Sequence, residues 1–178
     1  MALLLLVAGL RHAPQLQAQT ARSLEYQVKA AFLLNFTKFV EWPVSAFADA
    51  GSPVRICVTG EDPFGPTLDR TLEGESVNGR RVEAARLSPD GNLRNCHVLF
   101  ISRSERESIP QIISDLRGSN VLTVSEAPGF ADRGGVIEFV IEEGKVRFYI
   151  NASAAEAAGL KLSSRLLRVA SAVKGAQR

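Results

Sequence analysis

Few residues in this chain of 178 residues have side chains that do chemistry unaided. Cys57 and Cys96 are its two cysteines, and they allow either one intramolecular bridge or two free buried thiols. Thiols pair in an oxidising compartment and stay reduced in the cytosol, so the choice turns on where the chain works. His97 lies beside Cys96 in the apolar run CHVLFIS. A Ser-His-Asp or Cys-His site needs its imidazole at a strand end with a nucleophile in reach. A histidine inside such a run reads instead as a structural sheet residue, and no catalytic residue is assigned. The metal-ligand spacings H-E-x-x-H, C-x-x-C and D-x-D-x-D-G are absent from the sequence, as are the phosphate cradles G-x-x-x-x-G-K-[ST] and G-x-G-x-x-G. The expectation is a chain with no metal and no cofactor.

Three loops carry softer candidates: Thr59 to Gly65 (TGEDPFG), Ser102 to Glu105 (SRSE) and Ser125 to Gly135 (SEAPGFADRGG). If the strands before them are parallel, these loops line a crevice at the point where the strand order reverses, the usual ligand position in open α/β sheets. The candidate ligand set is Thr59, Gly60, Asp62, Phe64, Ser102, Ser125 and Phe130. The competing reading is turn and cap chemistry, in which Asp and Ser satisfy backbone donors. Glu61, Asp62, Glu126 and Asp132 are the acids from which an acid-base pair would be drawn, and their ordinary use is as caps and solvated turn residues.

The elements that must position these loops follow from periodicity. Arg22 to Val40 has apolar residues at helical spacing, at Leu24, Val28, Ala31, Phe32, Phe36, Phe39 and Val40. Glu41-Trp42-Pro43 ends it, because the residue before proline is driven out of the α region. Strand-like runs at Val54 to Thr59, Arg81 to Leu87, Cys96 to Ser102 and Val121 to Ser125 alternate with helix-like stretches at Pro63 to Leu72 and Glu105 to Leu116, the pattern of parallel β-α-β units. Val136 to Ile141 and Lys145 to Asn151 flank Glu142-Glu143-Gly144 as an antiparallel hairpin, expected at the sheet edge. From Ser153 to Lys174 the spacing predicts a short helix, a break at Gly159 and an amphipathic C-terminal helix. The expected fold is a single α/β domain over residues 22–178: a mixed sheet with a parallel β-α-β core and an antiparallel edge hairpin, flanked by N- and C-terminal helices.

Ala2 to Leu10 (ALLLLVAGL) has the length of a signal-peptide apolar region and falls short of the ~20 residues that span a bilayer. Small residues at Ala18 and Ala21 offer cleavage sites, so residues 1–21 are expected to be removed on export. No basic residue precedes Leu3, and a start upstream of Met1 is the corresponding expectation. Lys and Arg number 21 against 19 Asp and Glu, with the signs interspersed. Nucleic-acid binding needs clustered basic charge, so that class of partner is set aside.

The segments Glu25 to Pro43 (EYQVKAAFLLNFTKFVEWP), Ile56 to Gly65 (ICVTGEDPFG), Cys96 to Ser102 (CHVLFIS), Leu122 to Glu126 (LTVSE) and Gly159 to Leu167 (GLKLSSRLL) resemble, in order and spacing, the YfiR family of exported proteins. The resemblance implies a periplasmic α/β domain, often a homodimer, that regulates by binding rather than by catalysis. In the best understood member it represses a membrane-bound diguanylate cyclase through that enzyme's periplasmic region. It also implies that Cys57 and Cys96 pair, while a second disulfide of that member has no counterpart in this sequence. The candidate partner-binding residues are Asn151, Leu160, Leu162 and Arg165, beside the hairpin. The alternative function is a periplasmic module that senses a small ligand in the strand-end crevice.

Overall fold

The structure is a computed structural model that describes residues 13–88 and 90–175, so the apolar block Ala2 to Leu10 lies outside the described residues. Helix α1 (Ala13–Phe39) is 27 residues long, about 40 Å at 1.5 Å per residue. Its buried face is Tyr26, Ala30, Leu33, Leu34 and Phe36. The expected stripe was drawn partly on the wrong side, since Leu24 and Val28 stand 56% and 44% exposed. Helix α1 carries two apolar faces, and packing against the sheet selects the one that begins at Tyr26.

Two residues, β1 (Val40–Glu41), follow α1, and then the sheet begins with β2 (Val54–Thr59). Helix α2 (Pro66–Leu72), the short β3 (Ser76–Val77) and β4 (Arg80–Leu87) come next. The chain continues through β5 (Val98–Ile101), α3 (Ile109–Asp115), β6 (Leu122–Ser125), β7 (Ile137–Glu142) and β8 (Lys145–Asn151). After them come α4 (Ala152–Ala157), β9 (Lys161–Leu162), α5 (Ser164–Val169) and β10 (Ala172–Lys174). Eight strands form one sheet in the order β10-β8-β7-β6-β5-β2-β4-β3, and β1 pairs with β9 separately. The pairs β2/β4, β2/β5, β5/β6 and β6/β7 are parallel, and β7/β8 is antiparallel. The sheet is mixed with a parallel core, as expected.

Glu143 and Gly144 both adopt positive φ, 51° and 72°, in the tight turn of the hairpin. Outside the hairpin, β10 pairs in parallel with β8, a departure from the expected C-terminal helix. Ser163 caps α5 by accepting from the Leu166 N–H, and at Ala170 the backbone is already extended. Covering an open strand edge with Ala172 to Lys174 takes precedence over helix propensity in this Ala- and Leu-rich stretch.

The sheet separates two layers. Alternation along β2 sends Ile56 and Val58 towards α1 and α2, and Cys57 towards α3. On the α1 side, Phe32 and Phe36 pack on Phe148 with ring centroids 5.3 and 5.2 Å apart. On the α3 side Leu99, Ile101, Ile109, Ile112 and Phe130 form a smaller cluster. Cys57 and Cys96 are bonded within it, their Cα atoms 5.9 Å apart. Cys96 lies two residues before β5 begins rather than on the strand itself.

Candidate functional site

Chain order in the sheet reverses between β2 and β5: the chain leaves β2 for β4 on one side and returns to β5 on the other. The loops after these two strands diverge there, one leading to α2 and the other to α3. They touch at Gly60, whose φ is +83°. A Cβ at Gly60 would meet Ser104 Oγ at 2.4 Å, and the Glu61 N–H donates to that same oxygen at 2.9 Å. Glycine is therefore required at this point by backbone and space together.

Over the carboxyl ends of the strands lies an open groove of ≈ 1790 Å³. One wall is the first exposed turns of α1 with Leu24 and Val28, and the other is the hairpin end with Ile141, Lys145 and Arg147. The floor includes Asp62, Phe64, Ser102 and Glu126.

A buried polar network pins α1 across this floor. Lys29, 2% exposed, bridges Glu25 and Glu126, and Tyr26 Oη donates to Glu126 Oε1 at 2.9 Å. Burial, reinforced by the Glu126 charge, pushes the Tyr26 hydroxyl up to about 12, so it remains a donor. The residue pattern Glu25-Tyr26-x-x-Lys29 held the signal for this network: an i,i+4 ion pair with an intervening phenol. Its closing member, Glu126, was visible only as a loop acid.

Of the expected ligand residues, Asp62, Phe64 and Ser102 come together in the groove floor. Asp62 is used locally, accepting from the Phe64 N–H at 2.8 Å and pairing with Arg86 at 2.9 Å. Arg86 also holds Asp69 with two bonds of 2.7 and 2.8 Å, which keeps the Asp69 carboxyl below its ordinary range. Phe64 is a core ring against Tyr26 and Phe100. Thr59, Ser125 and Phe130 lie apart from the groove. Thr59 is fully buried, and its hydroxyl has no hydrogen-bond partner among the described residues. Ser125 Oγ donates to the Ile101 carbonyl at 2.7 Å and accepts from the Ala127 N–H, and Phe130 fills the α3 layer.

The expected partner residues also divide. Asn151 caps α4 through the Ala154 N–H and donates to the Ala131 carbonyl at 2.7 Å. Leu160 is in the core, Leu162 is half-buried opposite Val40, and Arg165 is exposed.

His97 sits just before β5, at the amino end of the sheet and so at the opposite end from the groove. Its Nδ1 accepts from the Arg55 N–H at 3.1 Å, and its ring stacks on Phe47 with centroids 4.4 Å apart. Burial lowers its pKa from the ordinary imidazole value. The groove acids and His97 are thus separated by the length of the sheet. Among the described residues no cluster of three or more His, Cys, Asp or Glu side chains is placed to hold a metal ion. No helix among them is long and apolar enough to cross a membrane.

Fold and site together define a small three-layer α/β domain with one buried cystine and an open groove at the carboxyl edge of its sheet. The chain belongs to the YfiR/HmsC-like family, whose model matches residues 26–171. Among solved structures it is similar to a conserved domain protein from Vibrio cholerae O1 biovar El Tor strain N16961. That likeness has a TM-score of 0.52 and 13% identity over 67% of this chain, and the chain covers 54% of the other. At this identity it is a likeness of fold alone, and the chain spans about half the length of that protein. No curated protein matches the sequence.

Proposed function

We propose that this chain is a periplasmic regulatory protein that represses a membrane-bound diguanylate cyclase, or a similar signalling protein, by direct contact. Membership of the YfiR/HmsC-like family over residues 26–171 carries this reading. A cystine in the smaller core layer supports an oxidising compartment, and residues 1–21 are removed on export in this account. The regulation includes no catalytic step. A repressor of this kind shifts its partner only by as much as it prefers the inactive state: moving a two-state enzyme from mostly active to mostly inactive takes roughly 5 kcal/mol of differential affinity.

Deleting the gene from its source organism and measuring cellular cyclic di-GMP tests the reading. Elevated cyclic di-GMP, restored by the exported chain and accompanied by cross-linking to an inner-membrane protein, is the expected result. Unchanged cyclic di-GMP with no inner-membrane partner overturns it. Intact mass of the exported protein tests the cleavage, which is expected after Ala18 or Ala21.

A further inference from the structure

The groove over the strand ends has properties that neither the core nor the polar network accounts for. Six large hydrophobic residues are exposed among the described residues, and three of them, Leu24, Val28 and Ile141, stand together on its two walls. Scattered single exposures are ordinary on a soluble protein, whereas grouped ones mark contact surfaces. Leu24 and Val28 are one helical turn apart and form a ridge of the kind that packs against another helix.

Charge selects the partner. Of the acids lining the groove, Glu25 and Glu126 are engaged by Lys29, and Asp62 is engaged by Arg86. Of the basic residues lining it, Arg22, Arg103 and Lys145 form no ion pair among the described residues, Arg147 acts electrostatically on Glu142, and Glu61 is the one acid of the lining with no ion pair there. Form argues against a metabolite: the groove is open rather than enclosed, unlike the cavities of roughly 300–1,000 Å³ that bury most of a small ligand. Its concave shape between a helix and a hairpin suits an inserted segment better than a flat lipid surface.

We infer that this groove is the docking site for an acidic amphipathic helix of a partner protein, whose apolar face covers Leu24, Val28 and Ile141 while its acids meet Lys145, Arg147 and Arg103. The inference rests on the regulatory reading above and names the chemistry of the partner segment. Lys145 and Arg147 are exposed, and Lys145→Gln with Arg147→Gln removes both charges without setting a second acid opposite Glu142, the cross-strand neighbour of Lys145; an unchanged melting temperature checks the fold.

The test uses the exported chain and a fluorescent 14-residue peptide of Glu and Leu at helical spacing. A matched Lys/Leu peptide and phosphatidylglycerol vesicles serve as comparisons. Saturable binding of the Glu/Leu peptide, weakened at least tenfold by the double variant and absent for the Lys/Leu peptide, is the expected result. The double variant is also expected to lose repression of cyclic di-GMP in cells. No Glu/Leu binding, binding indifferent to the variant, or vesicle binding in place of peptide binding overturns the inference. Full repression by the double variant overturns it too while leaving the regulatory reading intact. That reading fails separately if the deletion itself leaves cyclic di-GMP unchanged.

Discussion

On one face of the sheet a 27-residue helix lays Phe32 and Phe36 onto the rings of Phe139 and Phe148 and is anchored by a buried lysine. On the other, a seven-residue helix covers a small cluster that includes the cystine. The difference shows how a chain of this size stabilises unequal layers. Where a long helix supplies large apolar side chains, area burial suffices, and the layer can also hold charge at its rim. Where only α3 and a loop are available, burial is modest and a covalent bond offsets it by restricting the unfolded chain.

The contrast makes the two layers fail differently. Cys57→Ala with Cys96→Ala removes a bridge across 39 residues of sequence, which loop entropy values at about 4 kcal/mol. Denaturant unfolding of the double variant is expected to match that of the reduced wild-type protein. On the α1 side, Lys29→Met strands Glu126 and Glu25, and leaving a largely buried charge unpaired costs about 3 kcal/mol. Adding Glu126→Gln is expected to recover a large part of that loss. If Lys29→Met alone were neutral by thermal unfolding, the Lys29 ion pairs would add nothing net to the apolar packing that holds α1.

A smaller effect is expected at Gly135, where a Cβ would meet the ring of Phe130 at 2.1 Å. Gly135→Ala overpacks the α3 layer and is expected to cost about 2 kcal/mol by the same unfolding measurement. The smallest effects are those of pH, and they too separate regions of the molecule. Tyr26 is raised in the folded state to about 12. Its contribution is therefore complete below the ordinary tyrosine value of 10 and is lost as pH rises towards 12. Tyr26→Phe is expected to flatten that alkaline decline in stability. His97 is lowered by burial, so its contribution is complete above the ordinary value of 6.5 and declines as pH falls. His97→Asn, which keeps an acceptor for the Arg55 N–H, is expected to lessen the acid decline.

Much of the fold was legible because burial imposes periodicity. The parallel strands VRICVT, VLFI and LTVS are buried on both faces and read as continuous apolar runs, and the Glu143-Gly144 turn declared the hairpin. Less was legible where local preference and tertiary packing disagree. Leu160 to Ala170 has helical spacing, yet Ser163 and Ala170 bracket a single short helix, and Ala172 to Lys174 closes the sheet edge. The apolar residues of α1 marked a helix without saying which of its two faces would be covered. For the candidate site, loop position was readable from the β-α-β pattern, and Asp62, Phe64 and Ser102 do meet in one groove. Side-chain direction was not: Thr59 and Ser125 fall on the α3 side by strand alternation, and Lys29 reaches Glu126 across 97 residues of sequence, a pairing that no local pattern encodes.

Compartment and regulation are tested together by returning the chain to a deletion strain with and without residues 1–21 and measuring cyclic di-GMP. The exported chain is expected to lower cyclic di-GMP, and the chain retained in the cytosol to leave it high. Equal lowering by both chains, or by neither, would contradict a periplasmic repressor.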